Sequence, residues 1–251
     1  MKTILLAAGI GQRLGEISGN KPKCLLEFDG ISLLRRHLAI LMHYSISTIT
    51  IVTGYRSDLI KEDMTGNPAA DRIKTINNPD YKKGSIISML KGLETLETDD
   101  EFLLMDADVL YDHRILERLI KTSYSDCFLL DRDFVPGDEP VKLCVRDDRL
   151  VEFRKKIADN VQFDYQGESV GFFRFSQNTA GKLIQSAEDY LGRGEDNLPY
   201  EECIRDLLLA DPGHFGFEDI TGLKWLEIDF PEDVDRAKNE ILPDILQLKQ
   251  Q

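Results

Sequence analysis

Two aspartates with one alanine between them, Asp106-Ala107-Asp108, close the apolar run EFLLMDADVL. If that run is a buried strand, the pair emerges at its carboxyl edge, where open α/β sheets place their ligands. Strand alternation would put both acids on one side. Carboxylates so placed suit magnesium, a hard cation that binds through one or two acids plus substrate phosphates. The same residues also read as an acidic turn or helix cap before Asp112. Asp229, in WLEIDFPEDVDRA, ends a second short apolar stretch far along the chain. By itself it reads as a helix N-cap, and it gains chemistry only if the fold sets it beside Asp108.

The complementary cations lie at the amino terminus. LLAAGIGQRLGEISGNKPK begins like a dinucleotide loop, with Gly9 and Gly11 correctly spaced, but Leu14 stands where G-x-G-x-x-G has its third glycine. Glycines let backbone N–H groups approach phosphates closely. Arg13 offers a planar fork to phosphate oxygens, and Lys23 a point charge. In the first 24 residues Lys2, Arg13, Lys21 and Lys23 are accompanied by a single acid, Glu16, while the whole chain carries a net charge of −14. A positive pocket in a negative protein points to a small anionic ligand. Arg154-Lys155-Lys156 reads either as a solvated face or as a second phosphate clamp. Gly84-Ser85 reads either as a helix cap or as backbone free to reach a base or sugar.

The rest of the composition narrows the field. With 251 residues and 42% hydrophobic content, the chain can build one large α/β domain with a sizeable core. Its acidity repels nucleic-acid backbones and anionic lipid, so neither is an expected partner. Cys24, Cys127, Cys144 and Cys203 are scattered without a C-x-x-C, which suits reduced thiols and a cytoplasmic location. His37, His43, His113 and His214 lack metal-ligand spacing, and no apolar run is long enough to span a membrane. Oligomeric state has no sequence signature here, and a homodimer is carried as an open expectation.

These residues need elements to position them. Apolar and β-branched runs predict strands at 2–8, 48–55, 72–77 and 101–110, with helices at 31–44, 56–63 and 84–96 between them. Such alternation predicts a doubly wound, mostly parallel α/β sheet of the Rossmann-like kind. After about residue 130 the rhythm changes. A hairpin is expected from 141–146 and 150–153 around Asp147-Asp148, then a strand at 169–175, helices at 178–191 and 199–210, and a short strand at 223–228. Pro231 opens a last helix that Val234, Ala237, Ile241 and Ile245 continue. The expected organisation is one domain, 1–251, with a nucleotide-binding half (1–130) and an acceptor-binding half (131–251) sharing a sheet, the hairpin forming an inserted lobe.

With these motifs in view, the chain resembles the nucleotidyltransferases that make sugar nucleotides and CDP-alcohols. LAAGIGQRL followed by KPK resembles their signature loop, LLMDADVL their metal-binding strand end, and WLEIDFPEDVDRA their C-terminal acidic motif. The D-A-D triplet and NNPDYKKGSIISM are most similar to cytidylyltransferases acting on phosphocholine and related small phosphate or phosphonate acceptors. The hairpin and GFFRF are also similar to inositol-1-phosphate cytidylyltransferases. The resemblance implies that Leu6, Ala7, Ala8, Gly9 and Gly11 wrap a nucleotide, and that Arg13 and Lys23 bind its phosphates. It further implies that Asp108 and Asp229 hold Mg2+, with Asp106 behind them and Gly84-Ser85 at the base. Lys155 or Lys156 lies where such enzymes often hold the acceptor's phosphate, although R-K-K here replaces the E-E-K-P of sugar-nucleotide relatives. Glu168 and Glu201 are candidates for the rest of the acceptor, alongside Tyr165, Tyr200, Glu202 and Trp225, each of which has a plain surface or core alternative. The implied reaction is CMP transfer from CTP with release of pyrophosphate. Aminoethylphosphonate, inositol 1-phosphate and sugar 1-phosphates are alternative acceptors. A phosphate monoester is already largely ionised at neutral pH, so no His base or Ser nucleophile is required. An NAD oxidoreductase fits less well: Leu14 replaces a glycine, and Ile40 lies where the ribose-reading acid belongs. A non-catalytic nucleotide-binding module should lack a charged element of this site, whereas every element is present.

Overall fold

The computed structural model of the chain describes residues 1–97, 101–246 and 248. Its strands are β1 (Lys2–Ala7), β2 (Glu27–Phe28), β3 (Ile31–Ser32), β4 (Thr48–Thr53), β5 (Ile73–Asn77), β6 (Phe102–Asp106), β7 (Val109–Tyr111), β8 (Cys127–Asp131), β9 (Lys142–Arg146), β10 (Arg149–Arg154), β11 (Tyr165–Phe175), β12 (Gly216–Asp219) and β13 (Trp225–Glu227). The helices are α1 (Leu33–His43), α2 (Ser57–Asp63), α3 (Ser85–Leu93), α4 (His113–Lys121), α5 (Gln177–Gly192), α6 (Glu201–Ala210) and α7 (Pro231–Arg236). The main sheet runs β10-β9-β11-β6-β1-β4-β5, with β8 joined to β11 and β12 joined to β8.

Strand alternation sends side chains to two separate cores. Ile4, Val52, Leu104 and Phe173 pack with Ile86, Leu90, Leu183 and Ile204 of α3, α5 and α6. Leu5, Ile51, Met105 and Phe172 pack on the other face with Leu38, Ile60, Ile115 and Leu119 of α1, α2 and α4. A sheet covered on both faces must carry apolar residues at consecutive positions, which is why β1, β4 and β6 read as unbroken apolar runs. Each fully buried large side chain contributes about 1.5–3 kcal/mol. The predicted doubly wound, mostly parallel sheet is therefore present: β1 pairs parallel with β4 and β6, and β4 with β5. The sheet is mixed because β11 runs antiparallel to β6, β8 and β9.

Local chemistry sets the element ends. Ser32 caps α1 by accepting from the Arg35 N–H at 3.1 Å, and Asp112 caps α4 by accepting from the Arg114 N–H at 2.9 Å. Asp147 and Asp148 both adopt positive φ, 51° and 57°, the conformation of the tight turn that joins twisted hairpin strands. Three differences from the sequence expectation stand out. The strand expected through Leu110 breaks after Asp106 and resumes as β7, so the two acids leave the sheet at its edge instead of alternating along one strand. β8, α4 and β12 were not anticipated; CFLLD is too short for its period to separate strand from buried helix. The last helix ends at Arg236 and continues as wider and tighter turns to Asp244.

Candidate active site

β1 delivers the amino-terminal loop to the carboxyl edge of the sheet, where the Ala107 N–H donates to Leu6 O at 3.2 Å. Gly11 has φ +67°, and a Cβ there would come 2.6 Å from Lys23 Cγ. The glycine thus lets the loop fold over the lysine. Leu14, the residue in the third-glycine position, is fully buried in a third apolar cluster with Phe28, Val234 and Ile241. It anchors the loop by its side chain, whereas a dinucleotide loop closes by backbone contact at this position.

Asp229 reaches Asp108 through a two-stranded ladder. β13 pairs antiparallel with β7, matching Glu227 to Val109, and the Ile228 N–H donates to Asp108 O at 3.0 Å. The cap of α7 is Phe230. The Asp233 carboxylate accepts from the Asp229 and Phe230 N–H groups at 3.0 and 2.8 Å. Asp233 therefore does the capping, and the Asp229 side chain turns toward the cleft.

There Lys23 Nζ lies 3.0 Å from Asp108 Oδ2 and donates to Asp229 Oδ1 as well. Burial opposes the charge on Lys23, but the two aspartates outweigh it, so its pKa is raised above that of an ordinary lysine. Arg13 Nη1 sits 3.2 Å from Asp229 Oδ2 and 3.0 Å from Glu139 Oε2, with its guanidinium 5.2 Å from the centre of the Phe230 ring. Asp108, Glu227 and Asp229 offer oxygen atoms that all lie within 4.8 Å of one another. Three hard oxygen donors in that space fit a divalent cation of the magnesium or calcium type. Glu227 keeps contact with solvent but is ringed by protein; desolvation, then Asp108 and Asp229, push its pKa up to about 8. A cation that displaced Lys23 from the aspartates would relieve this concentration of negative charge.

A cavity of about 240 Å³ opens beside this cluster, bordered by Leu6, Ala8, Gly9, Ser85, Asp106 and Glu201. Ala7 and Gly11 line the adjoining cleft around Lys23. Gly84 and Ser85 do more than cap a helix. A Cβ at Gly84 would lie 2.0 Å from Leu198 O, and Ser85 Oγ accepts from the Tyr200 N–H at 3.0 Å. The pair thus clamps the 196–200 segment onto the cavity wall. Tyr200 O–H donates to Asp106 Oδ2 at 2.7 Å. Desolvation, followed by Asp108 and Glu201, raises the pKa of Asp106. Glu201 is raised by burial, and its Oε2 has no hydrogen-bond partner.

A second cavity, about 210 Å³, continues on the far side of Asp229 and is walled by Asp131, Glu168, Trp225, Glu227 and Phe134. Trp225 Nε1 donates to Asp131 Oδ2 at 2.7 Å. Desolvation first and Asp131 second push the pKa of Glu168 up to about 7. Lys155 Nζ approaches this region, 3.2 Å from Glu139, whereas exposed Lys156 takes no part in the network. A larger cavity of about 420 Å³ lies between α5 and α6, against Tyr190 and Asp206, and none of the predicted site residues borders it. Among the sequence candidates, then, Arg13, Lys23, Asp108, Asp229 and Lys155 converge, and Lys156 does not. Glu139, Asp131 and Glu227 were not anticipated. Only Glu227 had a signal, lying two residues before Asp229 in a short strand, where alternation puts both on one side.

The fold and the converged charges define a class: doubly wound α/β proteins with a charged cleft at the carboxyl edge of the parallel strands. Residues 3–158 match the MobA-like NTP transferase domain, and the chain belongs to that family. It is 24% identical to a CMP-5'-(3-aminopropyl)phosphonate synthase of Streptomyces rubellomurinus over 97% of its own length and 39% of that protein's. It is 26% identical to a bifunctional IPC transferase and DIPP synthase of Rubrobacter xylanophilus, over 95% of the chain and 51% of the relative. The chain thus spans 39% and 51% of the length of these two relatives. A CTP:phosphoglutamine cytidylyltransferase of Campylobacter jejuni matches at 22% over 94% of the chain and 98% of its own length. The fold superposes on the inositol-1-phosphate CTP transferase of T. maritima with a TM-score of 0.74 at 21% identity, covering 98% of each chain.

Proposed function

We propose that this protein is a Mg2+-dependent cytidylyltransferase that moves CMP from CTP to a small phosphate or phosphonate acceptor, phosphocholine-like by preference, and releases pyrophosphate. The observation that carries the reading is the meeting of Lys23 with Asp108 and Asp229 at the mouth of the cavity bordered by Leu6, Gly9 and Ser85. The relatives named for CMP or CTP chemistry favour cytidine over other bases.

An oxygen of the acceptor's phosphate attacks the α-phosphorus of CTP, and the bond from that phosphorus to the bridging oxygen breaks, leaving pyrophosphate. The nucleophile arrives ionised, so the residues have no proton to remove. Their task is to hold two anions together. Arg13 and Lys23 neutralise the departing pyrophosphate, the Gly9–Gly11 backbone donates to phosphate oxygens, and Lys155 steadies the acceptor's phosphate. Mg2+ held by Asp108 and Asp229, with Glu227 in reach, would supply further charge neutralisation at the α-phosphate. The acceptor wall favours a positive substituent. Asp131, Glu168 and Glu227 line the same cavity as Trp225, an arrangement in which an ammonium finds both carboxylates and an aromatic face, while Glu201, with its unpartnered oxygen, borders the neighbouring cavity beside Ser85. Cytoplasmic residence is part of the same proposal; the four cysteines are free and buried, and among the described residues no helix is long and apolar enough to cross a membrane.

The test is a pyrophosphate-release screen crossing four nucleoside triphosphates with phosphocholine, aminoethylphosphonate, inositol 1-phosphate and sugar 1-phosphates. Turnover is expected with CTP and a cationic acceptor. Turnover only with uncharged sugar 1-phosphates would remove the acceptor assignment, and none with any pair would remove the activity.

A further inference from the structure

Arg13 and Lys155 come from opposite ends of the site, yet both point at one atom. Arg13 Nη1 lies 3.0 Å and Lys155 Nζ 3.2 Å from Glu139 Oε2. Two like charges close enough to share an oxygen repel one another unless an anion stands between them. Here the anion is a side chain of the loop that joins β8 to β9. That loop is held in place by Lys142, whose Nζ donates to Gly137 O at 2.7 Å and to Lys155 O at 2.6 Å. One ammonium thus fixes both the loop that carries Glu139 and the backbone of Lys155. All three members of the bridge are about half exposed, at 49%, 51% and 46%. Ion pairs this open to water are weak, so a doubly charged ligand can replace the carboxylate readily.

We infer that Glu139 is a displaceable stand-in for a substrate phosphate: a positioning residue that keeps Arg13 and Lys155 converged until a phosphate or pyrophosphate group takes its place. The inference rests on the reading of Arg13 and Lys155 as phosphate-binding cations. The carboxylate keeps the two cations close together, and it competes with a phosphate for them. Removing its charge while keeping its shape should therefore tighten anion binding, the reverse of what loosening a structural contact would do.

The experiment is calorimetric titration of the intact chain with inorganic pyrophosphate. Glu139→Gln is expected to bind it about 3- to 10-fold more tightly than the unaltered protein. Asp138→Asn, which removes the same charge one residue away, is expected to leave the affinity unchanged. In a background of Arg13→Met with Lys155→Met, Glu139→Gln should have no effect. Circular dichroism confirms that each variant folds. Unchanged or weaker binding by Glu139→Gln, or equal tightening by Asp138→Asn, would overturn the inference while leaving the phosphate site standing. If the unaltered protein binds no pyrophosphate, the inference and the phosphate site fall together.

Discussion

The two halves of the cleft are built in different ways. The side proposed to take the nucleotide is made from the ends of neighbouring parallel strands, β1 and β6, and from backbone that glycine leaves uncovered. The side proposed to take the acceptor is made from side chains on antiparallel strands and the loops between them: Glu168 on β11, Asp131 on β8, and Glu139 and Lys155 at the two ends of the hairpin. The first is a positive cradle closed by two aspartates; the second is an acidic and aromatic wall with few cations. Backbone cradles depend on a handful of residue types at fixed spacing, so they suit a ligand part common to many reactions. A side-chain wall can change one residue at a time, and it suits the part that differs. Two relatives' names differ in the same way: CMP or CTP stands in both, beside (3-aminopropyl)phosphonate in one and phosphoglutamine in the other.

Breaking the nucleotide side should have the largest effect. Asp108→Asn or Lys23→Ala should lower turnover by about 3–4 kcal/mol of transition-state stabilisation, roughly a hundred- to a thousand-fold, with the circular dichroism spectrum unchanged. Full activity in a folded Asp108→Asn protein would remove the metal assignment. Next comes the junction of the two halves. Gly84→Ala forces a Cβ against Leu198 O and should destabilise the fold by about 1–3 kcal/mol, read as a lower melting temperature. An unchanged melting temperature would show that the 196–200 segment is not clamped as described.

On the acceptor side the effect should be smaller and pH-dependent. Burial first and Asp131 on neighbouring β8 second push the pKa of Glu168 up to about 7, opposed by Lys142 on β9, Arg236 on α7 and Lys155 after β10. A carboxyl raised in this way contributes stability when protonated, and that contribution is lost as the pH rises through about 7. A bound ammonium reverses the preference, because it favours the ionised form. KM for a cationic acceptor should therefore fall as the pH rises through about 7, while KM for CTP stays level. Glu168→Gln should raise acceptor KM about tenfold and flatten that profile. A profile unaltered by Glu168→Gln would assign the pH response to another group. The smallest change concerns the hairpin that carries Lys155. Asp148→Gly removes a side chain from a positive-φ turn position and should stabilise the protein by about 0.5 kcal/mol, with activity intact; a fall in melting temperature would contradict the turn assignment.

How much of this was legible differs between the halves for the same reason. The strand at Lys2–Ala7, the glycines, Arg13, Lys23 and the D-A-D triplet are local, and each carries its meaning in a few consecutive residues. Ser169–Phe175 was readable as a strand, but its extension back to Tyr165, its antiparallel pairing and the acids it sets beside Asp131 were not. In the sequence Asp229 reads either as a helix cap or as a partner of Asp108, and the Asp233 carboxylate takes the capping hydrogen bonds. Lys155 and Lys156 could not be separated by sequence, because adjacent residues leaving a strand differ only in the direction they face.

The order of amino acids alone determined a doubly wound sheet, covered on both faces, with a glycine loop and cations at its amino-terminal strand. Apolar periodicity and backbone conformational preference act over neighbouring residues, and they are written in the chain itself. The tertiary structure decided which charges meet: Asp229 with Asp108 through the β7–β13 ladder, Lys23 between them, and Glu139 between Arg13 and Lys155. Ion pairs form by proximity in space, and residues far apart in sequence acquire that proximity only when the sheet brings their strands to a common edge.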